Sequence, residues 1–214
     1  MTDLVSANRA AREEILRRVR TGLNTGVTPI DLAPVPSPRP AAFANHKARF
    51  LAFAEASSAS IAEVAELSEV PTAVVRYLDA QGLTRTAAVW ETLRSLPWNA
   101  AGVAAEFRAA TGDDAVGITG IFCAIAETGT LVVHSGPDTA ATTSLLPETH
   151  IAVVPVSRIV PGMEEALALL MLERGALPRS VNLISGPSRT GDIEQTIVLG
   201  AHGPSRVHLI LVDG

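Results

Sequence analysis

The stretch Gly117–Gly136, GITGIFCAIAETGTLVVHSG, decides the fold class. Its second half, Thr130–His134, is a continuous apolar run closed by Ser135, Gly136 and Pro137, and short runs of this kind bounded by turn residues mark strands covered on both faces. Comparable runs lie at Ser58–Ile61, Thr86–Trp90, Ala115–Thr119, Ile151–Pro155, Val181–Ser185 and Val207–Val212. Helical patterns interrupt them, one from Pro71, a good first-turn residue, to Gly82, a good stop, and one from Gly162 to Arg174. This alternation predicts an α/β protein with a mostly parallel central sheet flanked by helices. Three runs lead into Gly-Pro pairs, Gly136-Pro137, Gly186-Pro187 and Gly203-Pro204, where glycine allows a tight turn and proline fixes the next φ.

Working outward, Ala11, Ile15, Val19 and Leu23 repeat every four residues, which predicts an N-terminal helix with Ser6 as its cap and Gly22 near its end. Pro29, Pro34, Pro36, Pro38 and Pro40 follow, a density that favours an extended linker. The expected organisation is therefore residues 1–42 as helix and proline-rich linker, and residues 43–214 as the α/β domain. In that domain Phe43, Phe50, Leu51 and Ala54 share a helical face.

Composition excludes several classes of function. The 214 residues are 47% apolar, yet no run approaches the 18–20 or so residues that span a bilayer. The N-terminus mixes acids and arginines without a leader-like apolar stretch, so a cytoplasmic location is expected. Net charge is −5 and no basic cluster is interleaved with aromatics, which argues against nucleic acid as a partner. The lone Cys123 cannot supply a zinc site or an iron–sulfur cluster, and the lone Lys47 has no glycine-rich loop before it. No GxGxxG occurs, so no cofactor is expected on this chain.

Candidate chemistry falls in two segments. Glu127 is the one carboxylate between Asp114 and His134, in apolar surroundings that raise a carboxyl pKa unless partners hold the charge, which makes it a candidate catalytic acid. Thr128, Gly129 and Thr130 follow it as ligand-binding candidates. The loop SGPSRTGDIEQ adds Ser185, Gly186, Ser188, Arg189, Thr190, Asp192 and Glu194, with Arg189 suited to a bidentate grip on an anion. His202 sits at the following Gly-Pro turn. No metal site is expected, because Gly203-Pro204 separates His202 from His208 and no third ligand is nearby. Residues 109–157 contain no Lys or Arg, so an anion bound there draws its cation from Arg158, Arg179, Arg189 or Arg206. Since parallel strands end on one side, these segments are expected to meet at the carboxyl edge of the sheet.

Four motifs taken together, GITGIFCAIAETGTLVV, SLLPETHIAVV, LISGPSRTGDIEQTIVLGAHGP and RVHLILVDG, resemble the lactate-utilization protein C family, also called the LUD domain. Gly191 stands where the family more often carries alanine. The resemblance implies a NagB/RpiA/CoA-transferase-like fold and a role in oxidising L-lactate to pyruvate beside iron–sulfur partner proteins. With one cysteine, this chain would then be the non-redox, substrate-binding or organising subunit, and the clusters would sit on the partners. Two alternatives remain at this stage: a stand-alone enzyme using Glu127 on a carboxylate, sugar phosphate or CoA thioester, and a sensor of a small metabolite.

Overall fold

In the computed structural model, the structure describes residues 2–24, 43–193 and 196–214. The expected proline-rich linker and Glu194 lie outside them. The chain divides into two units, Met1–Ala41 and Ala42–Gly214. The first holds helix α1 (Thr2–Asn24), where Glu14 accepts hydrogen bonds from Arg17 and Arg18 one turn on. Ser6 lies inside this helix rather than at its cap, because the helix begins four residues earlier.

The second unit runs α2 (His46–Ala56), β1 (Ser60–Val64), α3 (Val70–Ala80), β2 (Thr86–Val89), α4 (Trp98–Ala101), β3 (Ala104–Phe107), β4 (Val116–Thr119), β5 (Cys123–Ile125) and β6 (Thr130–His134). It continues through α5 (Thr142–Leu145), β7 (Thr149–Pro155), β8 (Ile159–Val160), α6 (Met163–Arg174), β9 (Val181–Ile184), β10 (Arg189–Ile193), β11 (Thr196–Leu199) and β12 (Arg206–Val212). Six strands form a central sheet in the order β1-β12-β7-β4-β2-β3, every pair parallel. One face packs on α3 and α4 through Val74, Leu78, Trp98, Ile118, Ile151 and Ile210. The other packs on α2 through Phe50, Ala54, Ala152, Leu209 and Leu211. Covering both faces is what makes the strands read as uninterrupted apolar runs.

Two strands expected in the parallel sheet lie elsewhere. Thr130–His134 and Val181–Ser185 do not join the parallel sheet; β6 and β9 belong to a second, four-stranded sheet, β8-β5-β6-β9, in which β5-β6 and β6-β9 are antiparallel. Its core of Phe122, Cys123, Ile125, Val132 and Leu170 lies against α6. Periodicity reports burial on two faces but not strand direction, so both sheets produce the same signal. The polar segment read as a loop after Ser185 also forms a separate hairpin, β10-β11.

Candidate functional site

Two polar regions sit at opposite edges of the central sheet. The first gathers at the amino ends of β1 and β12. The Thr128 and Thr130 hydroxyls share a 2.7 Å hydrogen bond, and Thr130 shares another of 2.7 Å with Ser185. Thr130 opens β6 and Ser185 follows β9, its antiparallel neighbour, so the contact comes from the ladder Leu131–Ile184 beside it. Arg189 donates to the hydroxyl of Ser58, which has a left-handed backbone (φ 69°) immediately before β1. The Ser188 amide donates to the Pro204 carbonyl just before β12. Parallel strands therefore do not bring these residues together at their carboxyl ends, as the sequence had suggested; an antiparallel pair brings them to the amino edge.

Two glycines make this region close-packed. A Cβ at Gly129 (φ 65°) would lie 2.4 Å from the Ala54 nitrogen, and one at Gly186 (φ 74°) would lie 2.1 Å from the Ser57 carbonyl oxygen. Both glycines thus press backbone against the C-terminal end of α2, which only a residue without Cβ permits. The Thr128, Thr130 and Ser185 hydroxyls are spent on one another, and Arg189 holds Ser58 through one terminal nitrogen. In chemical terms the arrangement is a joint between α2, the β5-β6 turn and the end of β9.

Glu127 turns elsewhere. Its amide donates to the Pro161 carbonyl, and its carboxylate lies 3.1 Å from where a Cβ would stand at Gly162, with Glu165 and Glu164 at 3.0 and 3.5 Å from the same point. Gly162 is the N-cap of α6, so three carboxylates surround the positive end of that helix dipole. Thr190 is buried in β10, and Asp192 lies in the same strand. His202 is exposed in the bend before β12.

The second region lies at the carboxyl edge, where open α/β sheets bind ligands. Here β2 runs into Trp90, β4 into Gly120 and β7 towards Arg158, around a cleft of about 290 Å³ that His134 and Arg174 also line. Trp90 anchors one wall by donating its indole N–H to the Ala140 carbonyl at 2.9 Å. Arg158 donates through Nε to the Phe122 carbonyl (2.7 Å) and through both terminal nitrogens to Glu173 (2.7 and 3.1 Å), holding the Glu173 carboxyl below its usual range. The guanidinium carbons of Arg158 and Arg174 lie 4.9 and 6.0 Å from the Phe122 ring centre. Arg174 donates to His134 Nε2 at 2.7 Å, so that nitrogen accepts, and the ring proton sits on Nδ1, facing the Ser135 carbonyl at 3.1 Å.

Three further groups are set by burial. His150, on β7, shares a 2.8 Å hydrogen bond with Thr119, and His208, on β12, shares one of 2.9 Å with Ser60 while stacking on Tyr77. Burial lowers both rings to a pKa of about 4, which keeps them neutral. Burial also pushes the Cys123 thiol up to about 11. Among the described residues, no group of three or more His, Cys, Asp or Glu side chains could hold a metal ion, and no helix is long and apolar enough to cross a membrane.

Residues 48–212 match the LUD domain family, well over half of the chain. The chain belongs to that family. "Lactate utilization protein C" of an Exiguobacterium species is 46% identical to this LUD-domain protein over 100 residues, 45% of this chain and 44% of the relative. The Bacillus licheniformis protein of the same name is 38% identical over 119 residues, half of each chain, and the Bacillus subtilis one 44% over 101 residues, covering 46% and 42%. The matched stretch thus spans about half the length of these curated relatives. In three dimensions the LUD-domain chain is similar to the crystal structure of a DUF162 family protein from Deinococcus radiodurans, with a TM-score of 0.61 and 24% identity over 78% of this chain and 96% of that one. This likeness supports the α/β fold.

Proposed function

We propose that this LUD-domain protein is a component of an L-lactate utilization system that oxidises L-lactate to pyruvate, with iron–sulfur partner proteins carrying the electrons. The observation behind this reading is the similarity of 38–46% to three proteins named lactate utilization protein C. Oxidising lactate to pyruvate releases two electrons and two protons. This chain is a poor carrier for them: its one thiol, Cys123, is buried and protonated, and cluster ligation needs several thiolates. Its part in this reading is to bind substrate or to organise the partners.

The test is growth. A host strain lacking the gene fails to grow on L-lactate and recovers when the wild-type gene returns, and iron co-purifies with the native complex. Glu127→Gln restores growth as well as wild type in this reading, whereas a stand-alone transferase or hydrolase built on Glu127 loses its activity. Undiminished growth of the deletion strain on L-lactate would contradict the proposal.

A further inference from the structure

The carboxyl-edge cleft is lined by two arginines, Arg158 and Arg174. Its two arginines are not equivalent. Arg158 is committed, because its fork is filled by Glu173 and its Nε by the Phe122 carbonyl, so the pair adds no net charge to the cleft. Arg174, the last residue of α6, has among the described residues a single hydrogen bond, to His134, made by one of its terminal nitrogens. A guanidinium carries five N–H donors in a planar fork, so most of the Arg174 fork remains open towards the cleft. With Arg158 compensated by Glu173, the charge of Arg174 is left over in the lining.

The remaining wall suits a small organic acid. Trp90 and Phe122 give apolar surface. Gly120 and Ile121 leave its floor free of further charge. A volume of about 290 Å³ is at the small end of ligand sites, which run from about 300 Å³ upward. The neighbouring cleft across Trp90, about 320 Å³, is different: its Arg108 is already paired with Glu106 and Asp114, and Glu91 and Asp138 also line it.

We propose that the cleft between Trp90, Phe122 and Arg174 binds a small 2-hydroxy or 2-oxo carboxylate, with the Arg174 fork taking the carboxylate and the Trp90 and Phe122 rings contacting its carbon chain. His134 is a positioning residue, since its acceptance from Arg174 holds the guanidinium over the cleft. The choice of a carboxylate rests on the lactate-utilization reading, while the anion site rests on the arginines alone.

Calorimetric titration of the purified full-length protein with sodium L-lactate, sodium pyruvate, sodium acetate and inorganic phosphate tests this. Lactate and pyruvate bind saturably and more tightly than acetate, and Arg174→Ala weakens them about tenfold to a hundredfold, the usual cost of losing a hydrogen bond to a charged group. Leu172→Ala, at an exposed leucine of α6, changes nothing. His134→Asn, which keeps an acceptor near Arg174, weakens binding less than His134→Ala does. Four outcomes overturn the proposal: phosphate binding in preference to the carboxylates, acetate binding as tightly as lactate, no saturable binding of any probe, or Arg174→Ala binding as wild type. None of these depends on the growth phenotype, so the site and the lactate-utilization reading fail separately.

Discussion

The two edges of the central sheet use polar residues for opposite ends. At the amino edge, Thr128, Thr130 and Ser185 hydrogen-bond one another, Arg189 holds Ser58, and Gly129 and Gly186 bring backbone against α2. At the carboxyl edge, Arg174 lines an open cleft and makes one hydrogen bond, to His134. A dense polar motif is therefore poor evidence of a ligand site when its hydroxyls are spent on one another. The contrast is sharpest in glycine: a Cβ at Gly120, in the cleft, would meet only Trp90, at 4.0 Å.

That contrast sets the largest expected effect. Gly186→Ala drives a methyl group into the Ser57 carbonyl at a positive φ, so roughly 4 kcal/mol or more of stability is lost, or folding fails, in urea titration. Acid sensitivity comes next and belongs to His208 and His150, both near the amino ends of their strands. Their folded-state pKa of about 4 lies below the ordinary 6.5. Between those values the unfolded chain takes up protons that the folded chain refuses. Stability is thus full above pH 6.5, falls as pH drops towards 4, and levels off below, by about 3 kcal/mol for each ring. His208→Phe, which keeps an aromatic ring against Tyr77, should remove about half of that slope; an unchanged slope would show that the ring titrates normally.

Smaller effects follow. Thr130→Val leaves Thr128 and Ser185 without their shared partner and costs about 1–2 kcal/mol in the same titration. Gly120→Ala and Arg174→Ala at the other edge stay within about 1 kcal/mol of wild type. A carboxyl-edge variant as damaging as the amino-edge ones would erase the distinction.

Much of the fold was legible in the sequence, for physical reasons that also explain the gaps. Thr130–His134 is a strand over the range its apolar run marks, and β2, β4, β7, β9 and β12 depart from their expected limits by one or two residues. The three-residue β5 and two-residue β8 are too short to show a period, and β3, AAEF, carries a glutamate within a four-residue run. The amino-edge cluster could be found because its residues are contiguous in two segments. The cleft could not, since Trp90, Phe122, His134 and Arg174 come from four separate elements. One clue existed: the absence of Lys and Arg across residues 109–157 pointed to Arg158 among the possible cations, and Arg158 does line the cleft. Arg174 gave no such signal, because a basic residue in the last turn of a helix is ordinary capping chemistry.

The division of labour between the two edges is tested most directly by ¹H–¹⁵N correlation spectra of the protein titrated with sodium L-lactate. The account predicts saturating shifts at the Trp90 indole N–H and at the amides of Gly120, Ile121 and Thr139, with the amides of Thr128, Gly129, Ser185 and Gly186 unmoved. Shifts confined to 128–130 and 185–188, with the carboxyl-edge signals unchanged, would contradict it and return the ligand to the amino edge.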